Sequence, residues 1–423
     1  MTGSTSSDDM VSMVDLTIHR SSEQIGGNCI EIACAGERLI LDVGRPLDAP
    51  NDATDLLPAS LDRAGHAHVL ISHPHLDHYG LLEELPASWT IHSGEASAKL
   101  MRLTAGITGK VIDRDILPWR SGQPLDLGRF RVTPYLTDHS AFDAYMLLIE
   151  AAGKRILYSG DFRIHGRKSA LVDRMMSSPP AAVDALLMEG TNLGSTKPTA
   201  HESDLEADFE GLFGRTKGRV FVAWSAQNVD RTVTLYRAAK KAGRTLVVDL
   251  YTAEVLEMLA EHGRLPQPGF DQLKVVITST MSRMYKRKGM EAFVDRIAQS
   301  GHAISGRALA RNAARWVVML RGSLIADYDR SGVVPDGDDA WCWSMWRGYL
   351  ESSGAPLVEW LTAGGAASCH IHTSGHASPA DLLAFAKAIA PKRLVPIHSF
   401  NWDENLAGFP AICRLRDGET LSL

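Results

Sequence analysis

One six-residue stretch constrains this chain more than any other. It follows a short apolar strand and contains four side chains that are able to bind metal ions. The predicted strand His68–Ser72 runs straight into His73-Pro74-His75-Leu76-Asp77-His78. Imidazole nitrogens and carboxylate oxygens suit zinc or manganese. The i, i+2 spacing lets His73 and His75 point together from an extended turn, and Asp77 and His78 continue around it toward a second ion. The sequence therefore predicts a metal centre at the end of a strand.

The composition predicts a folded, soluble protein of two or three domains. The chain has 423 residues, of which 45% are hydrophobic and 22% are charged, and this balance excludes disordered, collagen-like and disulfide-stapled classes. No apolar run approaches the roughly 18–20 residues of a membrane span, and the first residues lack a secretory pattern. Five scattered cysteines with no CxxC spacing indicate free thiols in a reducing compartment. We therefore expect a cytoplasmic protein without a membrane partner.

The order of predicted elements indicates two regions of different style. Strands such as Arg38–Val43 and Phe130–Leu136, mixed with helices such as Glu95–Thr104, predict an α/β sandwich in the first region. From about residue 199, strands and helices alternate in a βαβαβ rhythm, which predicts a parallel sheet. Farther along, the strand-like run His370–Thr373 precedes a helix over Asp381–Ile389. The fold class is therefore α/β throughout.

The six-residue stretch matches the HxHxDH signature, so the sequence resembles the metallo-β-lactamase superfamily. The superfamily pattern continues with a histidine after a later strand, matched by His139, and then with a bridging aspartate, matched by Asp161. Asp42, at the end of an early strand, matches the structural aspartate of the superfamily. The resemblance implies an αββα sandwich around a dimetal site.

Later motifs resemble those of the β-CASP nucleases, in particular the ribonuclease J-like members. Glu189 in Met-Glu-Gly-Thr is similar to their first motif, His376 in Ser-Gly-His-Ala to their second, and His398 in Pro-Ile-His-Ser to their third. The resemblance implies a discontinuous metallo-β-lactamase domain over residues 1–198 and 366–423. A β-CASP domain with a parallel α/β sheet, acting as a substrate clamp, would be inserted at 199–365.

The same resemblance implies which residues bind two divalent ions and which take part in catalysis. Two ions about 3.5–4 Å apart can share a hydroxide and lower its pKa; Zn²⁺ is the favoured metal and Mn²⁺ the alternative. His376 would act as general acid and Glu189 would orient it, while Asp77 would be both ligand and catalytic residue. The expected ligands are His73, His75 and His139 for the first ion, Asp77, His78 and His398 for the second, and Asp161 between them.

The expected substrate is single-stranded RNA, because a histidine in the third motif accompanies RNA-cleaving members of the family. The net charge is −6, so phosphate affinity must come from a local patch. Other hydrolases of this fold, acting on esters, thioesters or lactams, and DNA nucleases are the alternatives. The mode of cleavage, exo or endo, stays open, and an oligomer is neither excluded nor implied. The expected substrate-binding residues are Ser374, Arg283, Lys286, Arg287 and Lys288.

Overall fold

A computed structural model of the chain describes residues 13–403 and 406–423, with the side chains of 352 and 353 left aside. The described residues fold into two compact units. One unit is formed by residues up to 105 together with 111–198 and 375–423, and the other by 106–110 and 199–374. The domain boundaries expected from the sequence, at 198/199 and 365/366, stay predictions.

The described residues form strands and helices with the following bounds. The strands are β1 (Val14–Arg20), β2 (Cys29–Cys34), β3 (Glu37–Leu41), β4 (His68–Ile71), β5 (Thr90–Gly94), β6 (Ile116–Trp119), β7 (Leu125–Leu127), β8 (Phe130–Leu136), β9 (Tyr145–Ala151), β10 (Lys154–Tyr158), β11 (Ala185–Glu189), β12 (Val220–Ala223), β13 (Thr245–Val248), β14 (Leu273–Ile277), β15 (Ala303–Ser305), β16 (Trp316–Met319), β17 (Ala340–Trp343), β18 (Ala367–His370), β19 (Arg393–Ile397) and β20 (Thr420–Ser422). The α-helices are α1 (Leu76–Tyr79), α2 (Glu95–Thr108), α3 (Ser169–Ser177), α4 (Glu202–Arg215), α5 (Val229–Lys241), α6 (Leu250–Met258), α7 (Ser279–Arg287), α8 (Glu291–Gln299), α9 (Gly306–Leu309), α10 (Ile325–Arg330), α11 (Arg347–Ser353), α12 (Ala355–Ala363) and α13 (Pro379–Ile389).

The first unit contains two sheets that face each other across an apolar core. One sheet has the order β20-β1-β2-β3-β4-β5-β6 and the other β19-β11-β10-β9-β8-β7. Because side chains alternate along a strand, Leu70 of β4 packs between the sheets, whereas Val69 and Ile71 pack on the outer face with α2. Helices α3 and α13 pack on the outer face of the other sheet. This four-layer arrangement confirms the αββα sandwich expected for this region.

The second unit is built on one seven-stranded sheet with the order β15-β14-β13-β16-β12-β17-β18. Every pair of neighbouring strands in it is parallel. Its central strands are buried along their whole length, as expected when helices cover both faces of a parallel sheet. The structure thus confirms the parallel α/β fold expected for this region.

One element differs from its sequence-based prediction over nearly its whole length. The expected strand His370–Thr373 is wrong in its bounds, because β18 ends at His370. Beyond that point the chain makes contacts outside the sheet ladder: the carbonyl of Ile371 accepts a hydrogen bond from Ser344 Oγ at 2.7 Å, and Thr373 Oγ1 donates to the carbonyl of Ala200 at 2.7 Å. The residues after His370 therefore do not continue the strand.

The strand ends of the first unit bring the candidate site residues to one edge. Asp42 follows β3 and His73 follows β4, which are parallel neighbours. Asp161 follows β10, and Glu189 ends the parallel strand β11, which in turn pairs in parallel with β19, just before His398. Carboxyl ends of parallel strands lie at the same edge of a sheet, which is where α/β proteins place their sites.

Candidate metal centre

The turn after β4 sets the direction of the first two histidines. The buried Asp42 carboxylate accepts hydrogen bonds from the backbone N–H and the hydroxyl of Ser72, at 2.7 and 2.8 Å. His75 has an extended backbone and is the N-cap residue of α1. His73 Nε2 and His75 Nδ1 lie 3.2 Å apart.

His139 completes a group of three imidazoles with His73 and His75. Its Nε2 atom lies 3.3 Å from His75 Nδ1, and the three candidate ligand atoms lie within 4.8 Å of one another. Burial, together with the neighbouring imidazoles, lowers the pKa of His73 and His139 well below the usual value. Burial also lowers the pKa of His75 to about 4. These rings are therefore held neutral, which is the form that binds a metal ion.

A second group is formed by Asp77, His78 and His398, whose candidate ligand atoms also lie within 4.8 Å of one another. The Nε2 atom of His398 is 3.4 Å from Asp77 Oδ2, and that of His78 is 3.8 Å from the same oxygen. Burial raises the pKa of Asp77, but His78 and His398 outweigh it and hold the pKa well below the ordinary value. The carboxylate is therefore ionised and can bind a cation.

Asp161 lies between the two groups. Its Oδ2 atom is 3.7 Å from His73 Nε2 and 3.1 Å from His78 Nε2. Burial raises the pKa of Asp161, yet His398 and His78 more than offset this and hold it well below the usual value. Its other oxygen, Oδ1, is buried and has no hydrogen-bond partner among the described residues. A buried anion with an unsatisfied oxygen fits a cation held between these groups.

The donor set therefore fits divalent metal ions. Imidazole nitrogens with carboxylate oxygens are ligands of zinc, manganese and related metals, and here they converge from several strand ends on one place. Burial strengthens the case, because isolated charges of this kind are costly in an apolar interior unless they are paired or bind a metal. The cluster is able to hold divalent metal, and the individual ligand assignments stay predictions.

Asp42 also fixes the orientation of His78. Its Oδ2 atom lies 2.7 Å from His78 Nδ1 and accepts a hydrogen bond from the hydroxyl of Tyr158 at 2.5 Å. A carboxylate on one ring nitrogen fixes the tautomer and directs the other nitrogen to the metal. Burial lowers the pKa of His78, but Asp161, Asp42 and Asp77 outweigh it and raise the pKa above its usual value. A cation bound among these carboxylates would take the place of the proton on Nε2. Asp42 therefore orients His78 without being one of the candidate ligands.

Thr191 holds His398 in a comparable way. The hydroxyl of Thr191 lies 2.9 Å from His398 Nδ1, which leaves Nε2 facing Asp77. The backbone of His398 is left-handed, with φ of 53°, a conformation that costs a residue other than glycine about 1–3 kcal/mol and is found at functional sites. His398 directly follows β19, so its imidazole lies at the carboxyl end of that strand.

Glu189 and His376 form a pair beside the same cluster. The Nδ1 atom of His376 lies 3.1 Å from Glu189 Oε2 and 3.8 Å from Asp161 Oδ2. The Glu189 carboxylate is fully buried and also accepts backbone hydrogen bonds from Phe162 and Thr191. Burial lowers the pKa of His376, but Glu189 and Asp161 outweigh it and raise the pKa to about 9. The pair therefore holds a protonated imidazole next to the candidate metal centre.

The structure brings ten of the sequence-predicted residues into one site, and the other five belong to the second unit. The metal candidates, Glu189, His376 and Asp42 all lie in the first unit. Of the five predicted substrate-binding residues, Arg283, Lys286 and Arg287 lie on α7 with solvent-accessible side chains, and Ser374 is half-buried. The Lys288 amine, after α7, donates to the carbonyl of Gly106 at 2.6 Å. Their role in binding stays a prediction.

Sequence reasoning did not assign a role to Ser72, Tyr158 or Thr191. Each is an ordinary hydroxyl residue at a strand end, and neither its type nor its spacing distinguishes it from a surface residue. Their positions next to Asp42 and His398 depend on strands that are distant in sequence. The only local signal is that each lies close in sequence to a motif residue.

Comparison with known proteins agrees with this architecture. Residues 24–206 match the model of the metallo-β-lactamase superfamily. Proteins named ribonuclease J are similar over most of the chain: that of Sinorhizobium meliloti is 23% identical over 379 residues and that of Mycobacterium tuberculosis 24% over 398. A protein from Helicobacter pylori with the same name is 22% identical over 402 residues. The expected resemblance is confirmed.

The matches cover most of this chain but only part of each ribonuclease J protein. The matches cover 84% of this chain for the Sinorhizobium protein and 89% for the other two, but only 63%, 67% and 54% of the Sinorhizobium, Mycobacterium and Helicobacter proteins. The crystal structure of a protein of unknown function from Enterococcus faecalis V583 has a similar fold, with a TM-score of 0.80 at 18% identity, over 97% of this chain and 100% of that one.

Within residues 13–403 and 406–423, no helix is long and apolar enough to cross a membrane.

Proposed function

We propose that this chain, which contains a metallo-β-lactamase domain and resembles ribonuclease J proteins, hydrolyses phosphodiester bonds of single-stranded RNA with two divalent metal ions. The observation that supports this most is the position of Asp161, between two three-residue ligand groups and beside the Glu189–His376 pair. A hydrolase of phosphodiesters needs cations to balance phosphate charge and an acid for the leaving oxygen. This one edge of the sheets offers both.

Two ions would occupy the two groups. His73, His75 and His139 would hold one, Asp77, His78 and His398 the other, and Asp161 would contact both. Five imidazoles against two carboxylates favour Zn²⁺, with Mn²⁺ as the alternative. When bound, the ions would lower the pKa of a water molecule and balance the negative charge of the phosphate.

The protein's own acid is His376. Glu189 on its Nδ1 side fixes the ring, and raises its pKa, so that the imidazolium carries a proton at neutral pH. The proton on Nε2, across the ring from Glu189, would pass to the 3′-oxygen as the P–O bond breaks. Asn192 donates hydrogen bonds to the carbonyls of His376 and Ala377, at 3.0 and 3.2 Å, and so holds the backbone that carries this imidazole.

RNA is the substrate favoured here because His398 follows the pattern of RNA-cleaving β-CASP proteins. Phosphate contacts would come from a local set of cations, since the whole chain has a net charge of −6. The side chains of Arg283, Lys286 and Arg287 on α7 are the candidates, with Ser374 as a hydrogen-bond donor. The five cysteines are free thiols, which supports the cytoplasm as the compartment.

A side-by-side cleavage assay tests the proposal. The full chain, loaded with Zn²⁺ or Mn²⁺, is given a 5′-monophosphorylated single-stranded RNA and the DNA of the same sequence. We expect cleavage of the RNA, its loss in Asp77→Asn, and normal cleavage by Asp126→Asn, whose carboxylate pairs with Arg131 at the surface. The product ladder distinguishes exonucleolytic from endonucleolytic cleavage.

Two outcomes would contradict the proposal. Cleavage of DNA alone would make the chain a DNA nuclease. No cleavage of either polymer by metal-loaded protein, with turnover of an ester, thioester or lactam, would make it a small-molecule hydrolase of the same fold.

A further inference from the structure

Two cysteines far apart in sequence are direct partners on neighbouring strands of the second unit. Cys342 of β17 pairs in register with Cys369 of β18. Paired residues of adjacent parallel strands project from the same face, and strands in a sheet lie about 4.7–4.9 Å apart. A disulfide requires Cα atoms about 4.4–6.8 Å apart. The backbone therefore already holds these two residues at a bridging distance.

The two thiols differ in their surroundings. The neighbouring Cys342 side chain and Arg215 outweigh burial and lower the pKa of Cys369. Burial raises the pKa of Cys342 well above its usual value. A thiol with a stabilised thiolate next to a neutral thiol is the arrangement of an attacking and a resolving cysteine.

Access to solvent also differs between the two. β18 is the outermost strand of its sheet, and Cys369 on it is half-buried, whereas Cys342 in the next strand is 1% exposed. A small oxidant is therefore expected to react with Cys369 before Cys342.

We propose that Cys342 and Cys369 are an oxidation site that hydrogen peroxide converts to a reversible intramolecular disulfide. The Cys369 thiolate attacks one peroxide oxygen, the O–O bond breaks, and the departing hydroxide takes up a proton to become water. The resulting sulfenic acid is attacked by the Cys342 sulfur: the S–S bond forms, the S–O bond breaks, and the hydroxyl leaves with the Cys342 proton as a second water. Two thiols are oxidised and one peroxide is reduced. This proposal does not rest on the proposed nuclease function.

The test is thiol counting and peptide mapping on the full chain. The protein is treated with a small excess of hydrogen peroxide, quenched, denatured and alkylated, then digested and analysed by mass spectrometry. We expect the loss of two of the five alkylatable thiols, one linked peptide pair containing Cys342 and Cys369, and recovery of all five after dithiothreitol.

Variants separate this pair from general oxidation. Cys413→Ser, which removes a half-buried cysteine elsewhere, should keep the linked peptides, whereas Cys342→Ser should leave Cys369 as sulfenic or sulfinic acid. All five thiols still alkylatable would overturn the proposal. So would a wild-type Cys369 that oxidises without becoming linked to Cys342, or linkage to any other cysteine.

Discussion

The imidazole of His376 lies with its Nδ1 atom 3.1 Å from Oε2 of Glu189, a carboxylate that is fully buried and further fixed by two backbone N–H groups. Because the carboxylate is on one side of the ring, proton donation in the proposed reaction would fall to Nε2 on the other side. The pair would then separate two roles: Glu189 would orient and charge the imidazole, and His376 would donate the proton.

Replacement of His376 by glutamine tests the acid directly. Loss of a positioned general acid costs about 10²–10⁴-fold in rate, while RNA binding should change little, because the proton is needed only in the transition state. Single-turnover cleavage and equilibrium binding of the same RNA measure the two effects. His66→Gln, at an exposed histidine that contacts Thr90, is the matched control. Equal losses in rate and binding would instead make His376 a substrate-positioning residue.

Replacement of Glu189 by glutamine keeps the shape of the side chain but removes its charge. We expect a smaller loss of rate than in His376→Gln, since the acid remains but is less well oriented and less readily protonated. The double variant should be no slower than His376→Gln alone, because both changes act on one proton transfer. Additive losses in single-turnover cleavage would mean that Glu189 acts by another route.

The carboxylate of Asp42 should matter for metal affinity, although it is not itself a ligand candidate. It holds His78 Nδ1, the Ser72 hydroxyl and the Tyr158 hydroxyl, and loss of such supporting contacts typically costs about 10–100-fold in metal affinity. We expect that range for Asp42→Asn and a smaller loss for Tyr158→Phe, which removes one of these contacts. Chelator competition measures both. Unchanged affinity in Asp42→Asn would show that His78 needs no orienting partner.

Much of the site could be predicted from the sequence because its most specific motif consists of neighbouring residues. His73 to His78 occupy six consecutive positions after a strand, so their proximity needs no long-range contact. His139, Asp161, Glu189, His376 and His398 were placed by resemblance, and the structure brings them to the same edge. The network of Ser72, Tyr158 and Thr191 could not be predicted, since hydroxyl residues at strand ends acquire partners only when distant strands pair.

The fold shows the same division between local and long-range information. Buried strands with clear apolar runs, such as β12 and β13, were predictable from their own residues. The bounds of β18 were not, because Ile371 and Thr373 form hydrogen bonds with Ser344 and Ala200 instead of with a neighbouring strand. That choice depends on contacts with residues far away in sequence.

Glu31 predicts a pH dependence of stability away from the metal cluster. Burial raises its pKa, but hydrogen bonds with His19 and Arg38 outweigh this and lower the pKa to about 2. Its contribution to the free energy of unfolding is therefore present above the usual pKa of about 4.3 and is lost as pH falls toward about 2.

Denaturant unfolding of wild type and Glu31→Gln at several pH values measures that contribution. We expect the variant to be less stable at neutral pH and the difference to shrink as pH falls from about 5 toward about 2. Asp126→Asn, at an exposed ion pair, should show almost no difference at any pH, because such pairs contribute little. A difference for Glu31→Gln that does not vary with pH would contradict the role given to this carboxylate.

The central claim, that one edge of the sandwich holds two metal ions, is tested most directly by the metal content of the full chain after equilibration with Zn²⁺ and dialysis. Elemental mass spectrometry should find two ions per wild-type chain and fewer in Asp161→Asn, whose carboxylate lies between the two ligand groups. One ion or none in the wild type, or two retained by Asp161→Asn, would contradict the account.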